Sequence, residues 1–173
     1  MRTLVALLLL SCATASFAQQ AHTRQLGVFL SDFGVTSSST SGTDVSGGLG
    51  VSLNYFWTPR FSTEVSVADE AHPYWNGEFR SRVRTMPIDA TAQYHFFNSS
   101  RWQPFVGGGL HYINPGAGTG GVRESFIAIG GVRYQLTSSF GLDLAGRGRF
   151  ANNQVDRPWD PAFKVTAGVS WRF

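Results

Sequence analysis

Eight ionisable residues of the 173-residue chain, Glu64, Asp89, His111, Arg133, Asp143, Arg147, Arg149 and Lys164, stand in stretches where apolar and polar residues alternate. Successive side chains of a strand point to opposite faces, so each of these groups turns away from the apolar side of its own stretch. Charges gathered on one shared face support ion pairing, and surplus cations draw anions toward them. Residues that pair across a hairpin share a face. Matching the stretches across a turn at 137–139 sets Asp143 opposite Arg133, and matching across 97–102 sets His111 near Asp89. Across a long connection at 151–162, Arg149 is expected beside Lys164 and close to Arg147, a basic cluster at the opposite end of the strands from Glu64.

These groups compose no catalytic or metal-binding set. His22, His72, His95 and His111 lack metal-ligand spacing, and the strand phase sends His95 and His111 toward opposite ends. The run Gly116-Ala117-Gly118-Thr119-Gly120-Gly121 fits a dinucleotide fingerprint, but no strand-helix-strand unit surrounds it. Asn98-Ser99-Ser100 is a chance glycosylation sequon. No metal, no cofactor and no catalytic residue is expected. A formal net charge of +3 without any basic run gives no reason to expect nucleic acid as a partner.

The alternation that orients the charges runs along most of the chain. Leu49, Val51, Leu53, Tyr55 and Trp57 form one face of a strand, and Gly50, Ser52 and Asn54 the other. Thr58-Pro59-Arg60 then turns the chain, because proline presets a turn dihedral and cannot donate to a ladder. Phe61, Val65 and Val67 resume the apolar face, followed by Ile88, Ala90, Ala92, Tyr94 and Phe96, and by Val106, Gly108, Leu110 and Tyr112. Phe126, Ala128, Gly130, Val132, Tyr134 and Leu136 lead into Thr137-Ser138-Ser139 and then Phe140, Leu142, Leu144 and Phe150. Phe163, Val165, Ala167, Val169, Trp171 and Phe173 close the series. Around Gln25 to Asp32 the phase is open, since Leu26, Val28 and Leu30 compete with Phe29 for the apolar face. The connections alternate between short ones, near 58–60, 97–102 and 137–139, and long ones, near 33–47, 69–84, 114–124 and 151–162. The pattern predicts an all-β fold, an eight-stranded antiparallel up-and-down transmembrane β-barrel with short turns facing the periplasm and long loops facing outward.

Composition leans the same way, with 14% aromatic residues, 14% charged residues and 20 glycines. A typical soluble domain carries about 25% charged residues. A membrane strand needs only about 9–11 residues with alternate ones apolar, so a near-neutral mean hydropathy does not argue against a membrane. Trp57, Phe61, Tyr94, Phe96, Tyr134, Phe140, Trp171 and Phe173 fall near the short-turn ends, and Tyr112, Phe126, Phe150 and Phe163 near the long-loop ends, as two interfacial belts. Arg2, the apolar run Leu4 to Leu10 and Ser16-Phe17-Ala18 read as an export signal cleaved after Ala18, leaving 19–173 as the barrel domain in the bacterial outer membrane. Ala13-Thr14-Ala15 is an alternative cleavage site, and Cys12 after Leu9-Leu10-Ser11 offers a lipoprotein-like second reading.

The closing residues, Gly168, Trp171 and Phe173 after Thr166, resemble the signal by which the barrel assembly machinery recognises outer-membrane barrels. Further segments resemble the OmpW family of small outer-membrane barrels, within the broader OmpA/OmpX-like barrel group. They are Met86-Pro87-Ile88 through Gln93-Tyr94-His95-Phe96, Gln103-Pro104-Phe105-Val106-Gly107-Gly108-Gly109-Leu110-His111-Tyr112, and Gly130 to Leu136 followed by Leu142-Asp143-Leu144. The resemblance implies a narrow, rather apolar interior that admits small hydrophobic molecules. Arg133, Arg147, Arg149 and Lys164 depart from such an interior and favour a structural or narrow-pore protein, with a small-molecule or ion permeant if the lumen is open.

Two other readings concern lipid. Arg80, Arg82 and Arg84, with Arg123 and Arg157, are placed to meet lipopolysaccharide phosphates from the outer loops, and His72, Tyr74 and Trp75 to meet a receptor or adhesion partner. Lipid A deacylases of the PagL type are similar in size, but depend on a His-x-Ser pair on the penultimate strand. Gly146-Arg147-Gly148-Arg149-Phe150-Ala151-Asn152 has neither a histidine nor a serine there, so no activated nucleophile is expected.

Overall fold

The structure, a computed structural model, describes residues 20–31, 35–37, 43–45, 47–75, 80–97, 99–114, 123–150 and 163–173. In chain order the strands are β1 Thr23–Ser31, β2 Val35–Ser37, β3 Thr43–Val45, β4 Gly47–Phe56, β5 Phe61–Trp75, β6 Arg80–His95, β7 Trp102–Asn114, β8 Arg123–Gln135, β9 Phe140–Phe150 and β10 Phe163–Arg172. Eight of them close into a barrel, from β1 through β4 to β10 and back to β1, with every neighbour antiparallel. The additional pair β2 and β3 forms a small ribbon within the first long connection. Closure leaves the eight-stranded sheet without an unpaired edge, the condition a sheet must meet in lipid.

The face that competes in the first strand is decided by packing. Leu26, Val28 and Leu30 are exposed on the outer wall, whereas Phe29 is buried in the lumen. Glycines on the adjoining strands make that possible. Phe29 pairs with Gly50 on one side and Gly168 on the other. A Cβ on Gly50 would lie 2.5 Å from Phe29 Cε2, and one on Gly168 would lie 2.7 Å from Phe29 Cβ. Gly131 makes room for the inward ring of Phe105 in the same manner.

The second long connection is shorter than the pattern suggests. Strand β5 continues to Trp75 and β6 starts at Arg80, with pairing from Glu70↔Thr85 to Trp75↔Arg80. His72, Tyr74, Trp75, Arg80, Arg82 and Arg84 therefore stand on strands and not in an outer loop. A strand rising beyond the bilayer needs no apolar face, so its polar sequence reads as loop although its backbone continues the ladder. The described ends of the other long connections, Ser31 to Gly47, Asn114 to Arg123 and Phe150 to Phe163, agree with the sequence. Arg157 and Gly116 to Gly121 lie outside the described residues, as do Cys12, Ala15 and Ala18.

Two of the short turns share one device. Thr58 Oγ1 accepts from Arg60 N at 3.2 Å and Phe61 N at 3.0 Å. Thr137 Oγ1 accepts from Ser139 N at 3.2 Å and Phe140 N at 3.0 Å. A threonine hydroxyl that closes the turn onto its own backbone is thus common to both, whereas Pro59 occurs in only one.

Outside, the aromatic residues at the short-turn end meet one another as a belt. Ring centroids are 4.6 Å apart for Tyr55 and Trp57, 5.1 Å for Tyr94 and Phe96, 4.7 Å for Trp102 and Tyr134, and 5.3 Å for Trp171 and Phe173. Phe126, Phe150 and Phe163 are exposed near the other end.

The Phe29 packing is tested at its glycines. Gly50→Ala should destabilise the folded barrel by about 1–3 kcal/mol, the usual cost of overpacking, and Phe29→Leu added to it should recover part of the loss. Gly148, where a Cβ meets nothing within 4 Å, should accept alanine with little change. Urea titration of the reconstituted protein reads all three, and equal midpoints for the Gly50 and Gly148 variants would contradict the packing.

Candidate functional site

The lumen holds the buried polar side chains of the described strands, and the barrel's closed order decides which of them meet. Arg147 on β9 reaches the far wall. Its Nη2 donates to Glu64 Oε1 at 3.2 Å, and its Nη1 donates to Ser66 Oγ at 2.9 Å and also to Asp89 Oδ2. Glu64 and Ser66 lie on β5, four strands from β9 in either direction around the ring. Asp89 also binds His111, with Oδ1 2.6 Å from Nδ1. The Arg147 guanidinium lies 5.3 Å from the centroid of the Phe29 ring. Together these groups form a septum across the interior.

Above it, Lys164 Nζ donates to Glu70 Oε2 at 2.6 Å, while Ser31 Oγ donates to Glu70 Oε1 at 2.8 Å. Below it, Arg133 Nε donates to Asp143 Oδ1 at 2.5 Å. Nearer the short-turn end, Phe56 and His95 are wholly buried, with ring centroids 5.0 Å apart, and His95 Nε2 meets Ser62 Oγ at 2.8 Å. Phe105 lies 5.5 Å from His95, and the guanidiniums of Arg133 and Arg172 each lie 5.9 Å from the Phe56 ring. Buried Gln93, Gln103 and Gln135 add to this floor.

Two irregular spaces remain. The upper, a cavity of about 20 Å³, is lined by Ser31, Glu70, Pro87, His111, Arg149 and Lys164 among others. The lower, about 40 Å³, is lined by Gln25, Asn54, Arg133, Asp143 and Ser170 among others. Arg147, Phe29 and Thr166 border both, which places the septum between them. Gln25 Oε1, Asn54 Oδ1 and Ser170 Oγ have no protein partner, the chemistry of a wet interior. An eight-stranded barrel is just wide enough for its own side chains to fill, and this one is filled by ion pairs, aromatics and amides.

The structure departs from the sequence reading in one register. Lys164 pairs with Arg147 and Phe163 with Gly148, so Arg149 lies beyond the last described pair, toward the rim. The expected basic cluster is also dispersed. Lys164 takes Glu70 as its partner, and Arg147 takes Glu64 and Asp89, so Glu64 is not separated from the arginines. Arg133 faces Asp143 and Asp89 faces His111 across their hairpins. Glu70 escapes sequence reasoning because the apolar alternation stops at Ala68, and an acidic pair at 69–70 resembles loop. Phe56 escapes because Tyr55 and Trp57 draw attention to the outer face. Its even spacing from Asn54 and Ser52 is the signal that assigns it inward.

Outside the lumen, Arg84 is engaged by a neighbour. Its Nε donates to Asp69 Oδ1 at 2.7 Å, and its Nη2 to the second oxygen, in a bidentate pair on the exposed wall. Gly168 accommodates Phe29, while Trp171 and Phe173 point outward in the short-turn belt.

The lumen pairs make a stability prediction. Lys164→Met removes the ammonium that Lys164 brings to the buried Glu70 carboxylate, and breaking a buried pair costs up to about 3–5 kcal/mol. The double variant Lys164→Met/Glu70→Gln should lose markedly less. Unfolding in urea would read both, and a single variant as stable as the wild type would contradict the pairing.

The fold has close counterparts among solved structures. The chain is similar to the N-terminal β-barrel domain of Pseudomonas aeruginosa OprF, with a TM-score of 0.63 at 17% identity over 90% of this chain and 100% of that one. It is similar to the outer membrane protein OprG of the same organism, with a TM-score of 0.64 at 14% identity over 91% and 98%. Neisserial surface protein A superposes with a TM-score of 0.60 at 18% identity over 87% and 96%. No curated protein sequence matches the chain. The model of the outer membrane protein β-barrel domain matches residues 4–173. With the closed eight-stranded sheet and its lipid-facing wall already in place, the chain belongs to the outer membrane protein β-barrel domain family and is a barrel of the bacterial outer membrane.

Proposed function

We propose that this protein is a structural outer-membrane barrel whose resting lumen is closed to solutes, and that it has no catalytic role. The observation that carries the reading is Arg147, which spans from β9 to Glu64 on the diametrically placed β5 and to Asp89 on β6. A charged solute crossing the lumen would have to part those ion pairs, and parting a buried pair costs several kcal/mol. The floor of Phe56, His95 and Phe105 adds a second obstruction below it. Assembly through Gly168, Trp171 and Phe173 and delivery by a segment cleaved after Ala18 belong to the same reading.

Planar-bilayer recording tests it. The wild-type protein should carry little steady ion current, and Arg147→Ala should raise it severalfold, provided the variant keeps heat-modifiable mobility as a sign of folding. A wild-type barrel with a persistently open conductance would overturn the closed reading.

An interruption in the hydrogen-bond ladder of the wall favours a second reading for apolar solutes, in keeping with the OmpW resemblance. Pairing between β5 and β6 passes from Val67↔Ile88 directly to Glu70↔Thr85. Pro87 has no N–H to offer there, and both Ala68 and Pro87 line the upper space together with Phe29 and Ile127. A small apolar molecule entering from outside would leave sideways at this point, above the septum. Pro87→Ala, which restores a donor, should slow the uptake of such a molecule into proteoliposomes. Uptake no faster than in protein-free vesicles would remove this reading.

A further inference from the structure

The charged side chains of the short-turn rim are all of one sign. Segments 20–25, 55–63, 92–104, 134–142 and 169–173 contain no aspartate or glutamate, yet carry Arg24, Arg60, Arg101 and Arg172. Arg172 turns inward toward Phe56, whereas Arg24, Arg60 and Arg101 are exposed. The opposite end is mixed, since Asp69 engages Arg84 and Glu124 is exposed.

All three exposed arginines sit on backbone that neighbouring strands hold in place. Arg24 exchanges hydrogen bonds with Phe173, at 3.1 Å from its N–H and 3.0 Å to its carbonyl. The Arg60 carbonyl accepts from His95 N at 2.8 Å, and the Arg101 carbonyl accepts from Gln135 N at 2.8 Å. Each is also adjacent to the aromatic belt. Arg24 pairs with Tyr55 across β1 and β4, Arg60 precedes Phe61, and Arg101 precedes Trp102. Around the ring these positions cover one arc, from β1 through the β4–β5 turn to the β6–β7 turn. Amphipathic rings settle at headgroup depth, so the belt fixes the three guanidiniums at the level of lipid phosphates. Guanidinium is the side chain best matched to a phosphate, which it binds with two parallel hydrogen bonds.

We infer that this arc is a binding collar for anionic phospholipid headgroups of the periplasmic leaflet. Zwitterionic lipids offer the same phosphate with a compensating cation, so the collar selects for net negative charge. A cation near an anionic lipid surface gains about 1 kcal/mol, or roughly fivefold in affinity, and this gain falls with salt.

Trp57, Trp102 and Trp171 in the belt report the contact. The protein is reconstituted in phosphatidylcholine vesicles containing increasing fractions of brominated phosphatidylglycerol, and the tryptophan quenching is compared with that by brominated phosphatidylcholine. The wild type should bind phosphatidylglycerol severalfold more tightly, and the preference should shrink as ionic strength rises. Arg24→Gln/Arg60→Gln/Arg101→Gln should bring the ratio close to one, while Arg84→Gln on the opposite rim should leave it unchanged. Should the triple variant fail to fold, the salt dependence in the wild type and the single variant Arg60→Gln carry the test. Equal quenching by both lipids in the wild type, a preference that salt does not touch, or an equal loss in Arg84→Gln would overturn the collar. Equal quenching combined with retention on purified acidic cell-wall polymer would assign the arc to that partner instead.

Discussion

Arg147 ties together three walls of the barrel, because the carboxylates that neutralise it stand on β5 and β6 while its own backbone belongs to β9. The lumen of an eight-stranded barrel is too narrow for bulk water, and an ion left there without a partner is costly. Every acid among the described lumen residues meets a cation or a histidine: Glu64 and Asp89 with Arg147, Asp89 also with His111, Glu70 with Lys164, and Asp143 with Arg133. The pairs also specify register. A one-residue slip of β9 would turn Arg147 out into lipid and bring Gly146 or Gly148 inward, leaving two carboxylates facing each other without their cation.

Shape follows the same closed geometry. Phe29 and Phe105 point inward where glycines on neighbouring strands leave space for them, and Phe56 closes the short-turn end against His95. Threonine hydroxyls fold two of the short turns back onto their own backbone, so that end is compact. Among the described strands, β5 and β6 are the longest, and they carry their ladder past the apolar band at the other end. On the closed-lumen reading, the two rims and the lipid-facing wall are where the barrel offers chemistry to its surroundings.

The two rims differ in charge for a structural reason. At the long-loop end Arg84 is neutralised by Asp69 on the adjacent strand, and acids and bases alternate. At the short-turn end the segments that carry Arg24, Arg60 and Arg101 contain no aspartate or glutamate, and these exposed arginines stand beside the aromatic belt. Lipid therefore acts on this protein as a patterned solvent, apolar at the wall and charged at the belts.

Alternation by itself determined the strands from β4 to β10 within the apolar band, their outward faces, the short turns and the belts, because the two-residue period of a strand is a property of local covalent geometry, whereas the face of β1 and the β5–β6 ladder beyond Ala68 were not legible from it. Asp143 opposite Arg133 and His111 opposite Asp89 were readable for the same reason, each pair being joined by a single hairpin. What needed the tertiary structure was everything set by closure. Arg147 meets Glu64 across 83 residues of sequence, and Lys164 meets Glu70 across 94. Which residues face each other through a barrel depends on the stagger accumulated around all eight strands, and no single segment encodes that sum. The choice of Phe29 for the interior likewise rested on Gly50 and Gly168, which are remote in sequence and become its neighbours only when the sheet closes.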